Sequence, residues 1–404
     1  MLLSLLFLSL AAPLVAEAPL RFATYNAELS RKGPGLLLRD ILRGDAAVVA
    51  AAGLIAQRDP DVLLLTGFDW DLDGRALTAF AGLLAGQGAE YPYQYAPRPN
   101  AGVASEFDLD RNGVLGEARD SLGYGAFSGQ GAMALLSKLP LLPEQARDFT
   151  ALLWRDAPGA APPKGYFSDD ILAVLPLASV GLWELPLLLP GGGTARVLAF
   201  YATTPLFDGE EDRNGKRNRD ELRFWIEYLK EPGQGALGQG AAGQGVTRQD
   251  VVLLTGVTQG GAAQGGAAEE RVVLNGVAPE NVGQDGLALT SEVRGGVAQS
   301  GAAEESVAQA GAGVPFVLMG DSNVDAGRGA GYRSVMAELL RDPALQDVVP
   351  EGVLGSATVD WGKAGPMRVD YVLPSAGWRV LGSGVDWAEG GESRHGLVWV
   401  DLAH

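Results

Sequence analysis

Short apolar runs, each closed by a turn or a polar residue, recur along this chain and limit what it can fold into. The segment Leu20 to Glu28 (LRFATYNAE) alternates β-branched or aromatic residues with small ones and precedes a Gly/Pro break at Gly33 to Gly35. Similar runs occupy Val62 to Leu65, Met133 to Leu136, Arg196 to Phe200, Pro315 to Met319, Arg368 to Leu373 and Leu397 to Asp401. Stretches of this length and composition predict buried strands. From Leu36 to Gln57 apolar residues recur at helical spacing until Asp59-Pro60 ends the pattern, and Asp220 to Leu229 reads as a helix with an aromatic face. The elements mix without strict strand-helix-strand alternation, which predicts a layered α/β or α+β sandwich rather than a doubly wound sheet.

A chain of 404 residues with 47% hydrophobic side chains holds enough apolar material for a sizeable core. Its formal charge of −18 repels phosphate backbones over most of the surface, which argues against tight nucleic-acid binding through counterion release. A local site for a phosphoester is compatible with that charge. The absence of Cys excludes disulfide scaffolds, Cys-ligated zinc and thiol nucleophiles, and with only two histidines, His395 and His404, a His-rich metal centre is excluded too. No Walker A, GxSxG or HExxH pattern occurs. The apolar run within Met1 to Ala16 is too short for a stop-transfer span and is followed by small residues. It reads as a signal peptide, giving a periplasmic or secreted chain 17–404 with no transmembrane span. Residues 232–313 form a Gly/Ala/Gln-rich low-complexity insertion, within which VVLLTGVTQ (251–259) and RVVLNGVAP (271–279) look like faded copies of PFVLMGDSN (315–323).

Layered sheets build sites from the polar residues and loops at one rim. Asn26 closes the first strand, Asp321 and Asn323 close PFVLMGDSN, Asp370 lies in RVDYVLP and His395 in ESRHGLVWV. With RFATYNAEL (21–29), DPDVLLLTGFD (59–69), GAMALLSKLP (131–140), LMGDSN (318–323), RVDYVLPS (368–375) and SRHGLVWVDL (393–402) in that order, the chain resembles the endonuclease/exonuclease/phosphatase family of metal-dependent phosphoesterases. The segments FDLDRNG (107–113) and FDGEEDRNGKRNRDELRFW (207–225) suggest a bacterial exported branch. The resemblance implies a four-layer sandwich of two mixed, mainly antiparallel β-sheets flanked by helices. It also implies Mg²⁺ or Mn²⁺ as cofactor, and a phosphoester small molecule or nucleic acid as substrate. By that resemblance Asp321 would position or deprotonate the attacking water, while Asn26 and Asn323 would hold phosphate or metal-bound oxygens. His395 would contact the scissile phosphate and Asp370 would orient His395. Tyr201 falls where many members have a His and the abasic-site endonucleases a Tyr.

Two positions depart from the family. Its principal metal-binding Glu is replaced by Gly67, and the Asp of its final Ser-Asp-His motif by Arg394 in Ser393-Arg394-His395. Asp69, two residues beyond Gly67, is a carboxylate that could approach the site, and the Arg394 guanidinium could instead take the cation's place and clamp a phosphate. Two readings stay open: a metal-dependent phosphoesterase with an eroded metal site, and a catalytically inactive phosphate-ligand binding protein on the same fold. Asp69, Asp71, Asp73 and Gly74 match the opening of a calcium loop, as do Asp108, Asp110, Asn112 and Gly113, but Phe80 and Arg119 stand where the closing Glu belongs. Structural calcium and plain Asx turns remain alternatives at both, the second site being the better match. Asp212 to Glu221 reads as a solvated helix start, with Arg217 and Asn218 as candidates for substrate contact. Tyr91, Tyr93 and Tyr95 have the periodicity of a half-buried strand.

Overall fold

The computed structural model describes residues 18–230 and 313–403. The apolar amino-terminal segment expected to be a signal peptide, the insertion up to residue 312 and its two strand-like copies lie outside the described residues. In chain order the elements are β1 (Leu20–Asn26), α1 (Leu36–Arg43), α2 (Ala46–Arg58), β2 (Val62–Phe68), α3 (Arg75–Gly86), β3 (Tyr93–Tyr95), β4 (Ala132–Ser137) and β5 (Arg147–Asp148). There follow α4 (Asp169–Leu172), β6 (Leu182–Leu188), β7 (Thr194–Tyr201), α5 (Arg213–Lys230), β8 (Phe316–Asp321) and α6 (Arg333–Leu339). The chain closes with β9 (Val359–Asp360), β10 (Pro366–Met367), β11 (Asp370–Pro374), β12 (Arg379–Asp386) and β13 (Leu397–Ala403).

One sheet has the order β12-β13-β1-β2-β4-β3 and the other β11-β8-β7-β6-β5, with β9 and β10 as a separate ribbon. Only β1 with β2 and β7 with β8 run parallel. The strands are apolar throughout because both of their faces are covered. Phe22, Leu64, Leu135 and Val398 of the first sheet share one buried cluster with Val197, Leu185, Val317 and Met319 of the second. The alternate residues Ala23, Tyr25, Leu63 and Leu65 face α1, α2 and α3, whereas Leu198, Phe200 and Leu318 face α5 and α6. Period-two alternation thus writes two cores into each central strand, and the result is a four-layer α/β/β/α sandwich.

Two helical expectations change. The periodic stretch 36–57 is two helices, because Gly44 ends α1 at φ 69 and the Asp45 carboxylate accepts from the Val48 amide to start α2. The stretch 212–221 is not solvated. Arg217, Asn218, Asp220 and Glu221 of α5 are buried, and each fastens a loop. Arg217 donates to the carbonyls of Leu122, Pro176, Leu177 and Ala178. Asn218 donates to Thr203 and Ser322 carbonyls at 2.7 Å each. Asp220 accepts from the Trp154 indole and the Ala161 amide, and Glu221 from the Ser179 and Thr203 amides. Mixed charge that reads as a wet helix start is therefore a polar clamp, in which the Arg217 guanidinium and the Asn218 amide nitrogen are committed to backbone carbonyls. Tyr91 and Tyr95 are buried and Tyr93 partly so, although only 93–95 pairs as a strand.

Replacing Arg217 by Met leaves its four carbonyl partners without their donor in a dry place. The expected loss is about 3 kcal/mol of unfolding free energy in urea titrations, since each stranded buried acceptor costs about 1–3 kcal/mol before water or relaxation relieves it. A change below about 0.5 kcal/mol would show that the clamp is not holding the loops.

Candidate functional site

The chain direction of the strands gathers the polar residues at one rim. Asn26, Tyr201 and Asp321 are the last residues of β1, β7 and β8, and Asp370 begins β11, which runs antiparallel to β8 with Asp370 opposite Asp321. His395 lies just before β13, the antiparallel neighbour of β1. Gly320 makes the close approach possible: at φ 152, an added Cβ there would lie 1.9 Å from the Phe200 carbonyl oxygen of the neighbouring strand.

Three side-chain bonds cross between the two sheets at this rim. Asn26 Nδ2 donates to Asp321 Oδ2 at 3.0 Å, and more distantly to the Tyr201 hydroxyl at 3.3 Å. His395 Nδ1 meets Asp370 Oδ2 at 2.8 Å. The second Asp321 oxygen accepts from the Asn323 amide at 2.7 Å, while Asp370 Oδ1 has no partner. Asn323 itself, in the left-handed conformation at φ 54, donates its amide to the Ala202 carbonyl and accepts from the Thr204 hydroxyl. Ser393 donates to the Asn26 carbonyl and accepts from the His395 amide, fixing the segment that carries the imidazole.

Burial governs the charges. Asp321 is pushed up to about 7, first by burial and then by the neighbouring Asp370 charge, against the opposing pull of His395. For His395 burial works against the charged ring, but Asp370, and after it Asp321 and Glu28, outweigh it and hold the imidazole up at about 9. The Tyr201 phenol is driven well above its ordinary range, chiefly by burial and secondly by Asp321, so it remains a neutral hydroxyl.

Glu28 and Trp361 are site residues that the sequence reading did not pick out. Glu28, at φ 47, turns its carboxylate onto Arg394, accepting from its amide and its guanidinium, and the Arg394 guanidinium lies 4.5 Å over the Trp361 ring. Trp361 also meets the His395 ring edge-on at 5.2 Å. These groups line one cleft of about 750 Å³. Asn26, Tyr201, Asn323, Arg394 and His395 face it, whereas Asp321 and Asp370 lie beneath and do not line it.

Other expected residues are placed elsewhere. Asp69 does not join the strand-end cluster: its two oxygens accept from the Arg31 and Gly131 amides and tie loops together. Asp71 accepts from the Arg75 and Ala76 amides and so opens α3, which accounts for the first calcium-like stretch as a helix start. In the second, Asp108 accepts from the Asn112 and Gly113 amides and Asp110 from the Asn112 amide. The carboxylates of Asp108, Asp110 and Asp120 lie within 4.8 Å of one another.

The sequence profile of the Endonuclease/Exonuclease/phosphatase family matches residues 23–395. The chain belongs to this family. No curated protein matches it. Among solved structures it is similar to an endonuclease/exonuclease/phosphatase from Beutenbergia cavernae, with 16% identity, 96% of this chain and 72% of that chain covered and a TM-score of 0.49. Sphingomyelinase C from Streptomyces griseocarneus is similar at 14% identity, 96% and 100% coverage and TM-score 0.43. A family protein from Leptotrichia buccalis follows at 14% identity, 95% and 100% coverage and TM-score 0.45.

Proteins of the endonuclease/exonuclease/phosphatase family are generally dependent on a divalent metal, and the groups at this rim are largely engaged with one another. At Gly67, φ 65, a Cβ would stand 2.4 Å from Asn26 Oδ1, so a side chain there requires the Asn26 amide to shift and a left-handed backbone to be tolerated. Asn26 Oδ1 accepts from the Glu28 amide, both Asp321 oxygens are engaged, and Glu28 is held by Arg394. Asp321, Asp370 and His395 do cluster within 4.8 Å, but this leaves Asp370 Oδ1 as the one carboxylate oxygen of the three residues without a partner. Mg²⁺ and Mn²⁺ ask for carboxylate oxygens in open octahedral geometry.

Two measurements check this electrostatic arrangement. With two histidines in the chain, imidazole ¹⁵N titration resolves His395, expected at about 9 in wild type and clearly lower in Asp370→Asn, where only Asp321 and Glu28 still oppose burial. The folded value lies above the unfolded 6.5, so the pair's stabilisation is full below pH 6.5 and fades as pH rises through 9. Titration near 6.5 in both proteins would remove the ion pair from the account. Gly67→Ala is expected to cost about 1–3 kcal/mol in urea unfolding, from the left-handed backbone and the clash with Asn26; a neutral effect would mean that the rim relaxes freely.

Proposed function

We propose that this is an exported phosphoester-binding member of the family that holds the phosphoryl anion through donors rather than through a divalent cation. The observation that carries the reading is the arrangement of charge: the carboxylates Asp321 and Asp370 lie under the floor, and Asn26, the neutral Tyr201 hydroxyl, Arg394 and protonated His395 face the cleft. Arg394 has Nε and Nη2 on the Glu28 carboxylate, which with Trp361 holds the guanidinium in place and leaves its Nη1 edge for a phosphate oxygen. His395 has Nδ1 committed to Asp370, which leaves Nε2 for an anion. Export rests on the apolar amino terminus, and no helix among the described residues is long and apolar enough to cross a membrane.

Hydrolysis at the same site is the second reading, favoured by Asp321. A carboxyl at about 7 is partly ionised at neutral pH and sits near the value at which a base best takes a proton from water. In that case Asp321 would receive the water's proton, and Arg394 and His395 would balance charge on the phosphoryl oxygens.

The test is calorimetric binding of a panel of phosphomonoesters and phosphodiesters in EDTA and again with Mg²⁺ or Mn²⁺, with turnover followed in parallel. Binding is expected to survive EDTA, to weaken about tenfold or more in Arg394→Ala, as the loss of a charge-assisted bond predicts, and to fall as pH rises through the His395 value of about 9. Binding or turnover that requires a divalent ion and ignores Arg394→Ala would overturn the reading. Turnover in EDTA that is lost in Asp321→Asn would establish the second one.

A further inference from the structure

The cleft is much larger than a phosphoryl group needs. At about 750 Å³ it falls within the 300–1,000 Å³ range of small-molecule sites. The strand-end donors form only part of its wall. Leu109, from the β3–β4 connection, and Trp154, Phe167 and Leu175, from the β5–β6 connection, supply another part. Tyr124, Leu206 and Phe207 complete it and are exposed, Phe207 to 79% and Tyr124 to 72%. Phe207 stands at φ 70, a conformation an aromatic residue rarely adopts.

The cations of this wall are already engaged. Arg217 is spent on backbone carbonyls, Arg213 pairs with Glu211 and Arg119 with Asp110. A second phosphate, as in a polyphosphate or a nucleic-acid backbone, would find no unpaired cation among these three arginines, and the chain's charge of −18 adds to the penalty. An uncharged apolar group would meet aromatic and aliphatic surface directly beside the anion site.

We infer that the ligand is a phosphoester of a bulky apolar or aromatic alcohol, its phosphoryl group at Arg394 and His395 and its organic part against Tyr124, Leu206 and Phe207. This assignment rests on the phosphoester reading above and narrows it to a substrate class. The organic group leaves water where the cleft widens, and burying even part of an aromatic ring strengthens binding by about tenfold.

The experiment compares methyl phosphate with 1-naphthyl phosphate by calorimetry, in wild type and in the triple variant Tyr124→Ser/Leu206→Ser/Phe207→Ser, whose exposed positions do not threaten folding. Expected is a wild-type preference for the naphthyl ester of at least about tenfold that shrinks to within about threefold in the variant. Equal affinity for the two esters in wild type, or a preference that survives the variant, overturns this assignment while leaving phosphoester binding intact. Failure of both esters to bind overturns the phosphoester reading and this inference with it.

Discussion

The contact on which the rim depends is the bond from Asn26 Nδ2 to Asp321 Oδ2, because it joins the two sheets at the ends of their central strands. Such a bond exists only if β1 and β8 end at the same level, and that is fixed by the apolar cluster between the sheets, where Phe22 and Leu64 meet Val317 and Met319. The hydrophobic core sets the register, and the register sets the chemistry. Opposite Asp321 in the same sheet, Asp370 is brought beside it by the antiparallel pairing of β8 and β11. Two acids in a dry place cannot both ionise at ordinary cost, so Asp321 rises toward neutrality and His395 is held charged by Asp370.

Much of this was legible in the sequence because fully buried strands leave an unmistakable trace. The apolar runs at 20–28, 62–65, 133–136, 196–200, 315–319 and 397–401 all fall on strands, and Asn26, Tyr201, Asp321, Asp370 and His395 meet at one rim. The strand β6 escaped notice because Glu184 and Pro186 interrupt its hydrophobic pattern, and β12 because its glycines and exposed residues resemble a loop. The polar start of α5 misled for a related reason. Residues that satisfy buried carbonyls and amides have the same composition as residues that face water, and only the packing tells them apart.

Glu28 illustrates a different limit. Nothing distinguishes it in the sequence from a surface acid, since its role comes from a left-handed turn at φ 47 and from a partner, Arg394, that lies 366 positions away. Asp69 shows the converse. Its position two residues beyond Gly67 implied a shared side of an extended strand, but the strand has a bulge between Thr66 and Phe68, so the alternation on which that inference relied is broken there.

The two departures from the family are physically one. Because Gly67 has no Cβ, Asn26 Oδ1 can occupy the space beside it, 2.4 Å from where that atom would be, and from there it accepts the Glu28 amide. That bond lies beside the turn that aims the Glu28 carboxylate at Arg394. Glu28, two residues beyond the end of β1, thus holds the Arg394 guanidinium. Restoring a Glu at Gly67 alone would strike Asn26, and restoring an Asp at Arg394 alone would leave Glu28 facing a second carboxylate without a cation. The arginine, the glycine and the turn at Glu28 must therefore be regarded as one rearrangement. Its outcome is an Arg394 guanidinium fixed by Glu28 and Trp361 at the wall of the cleft.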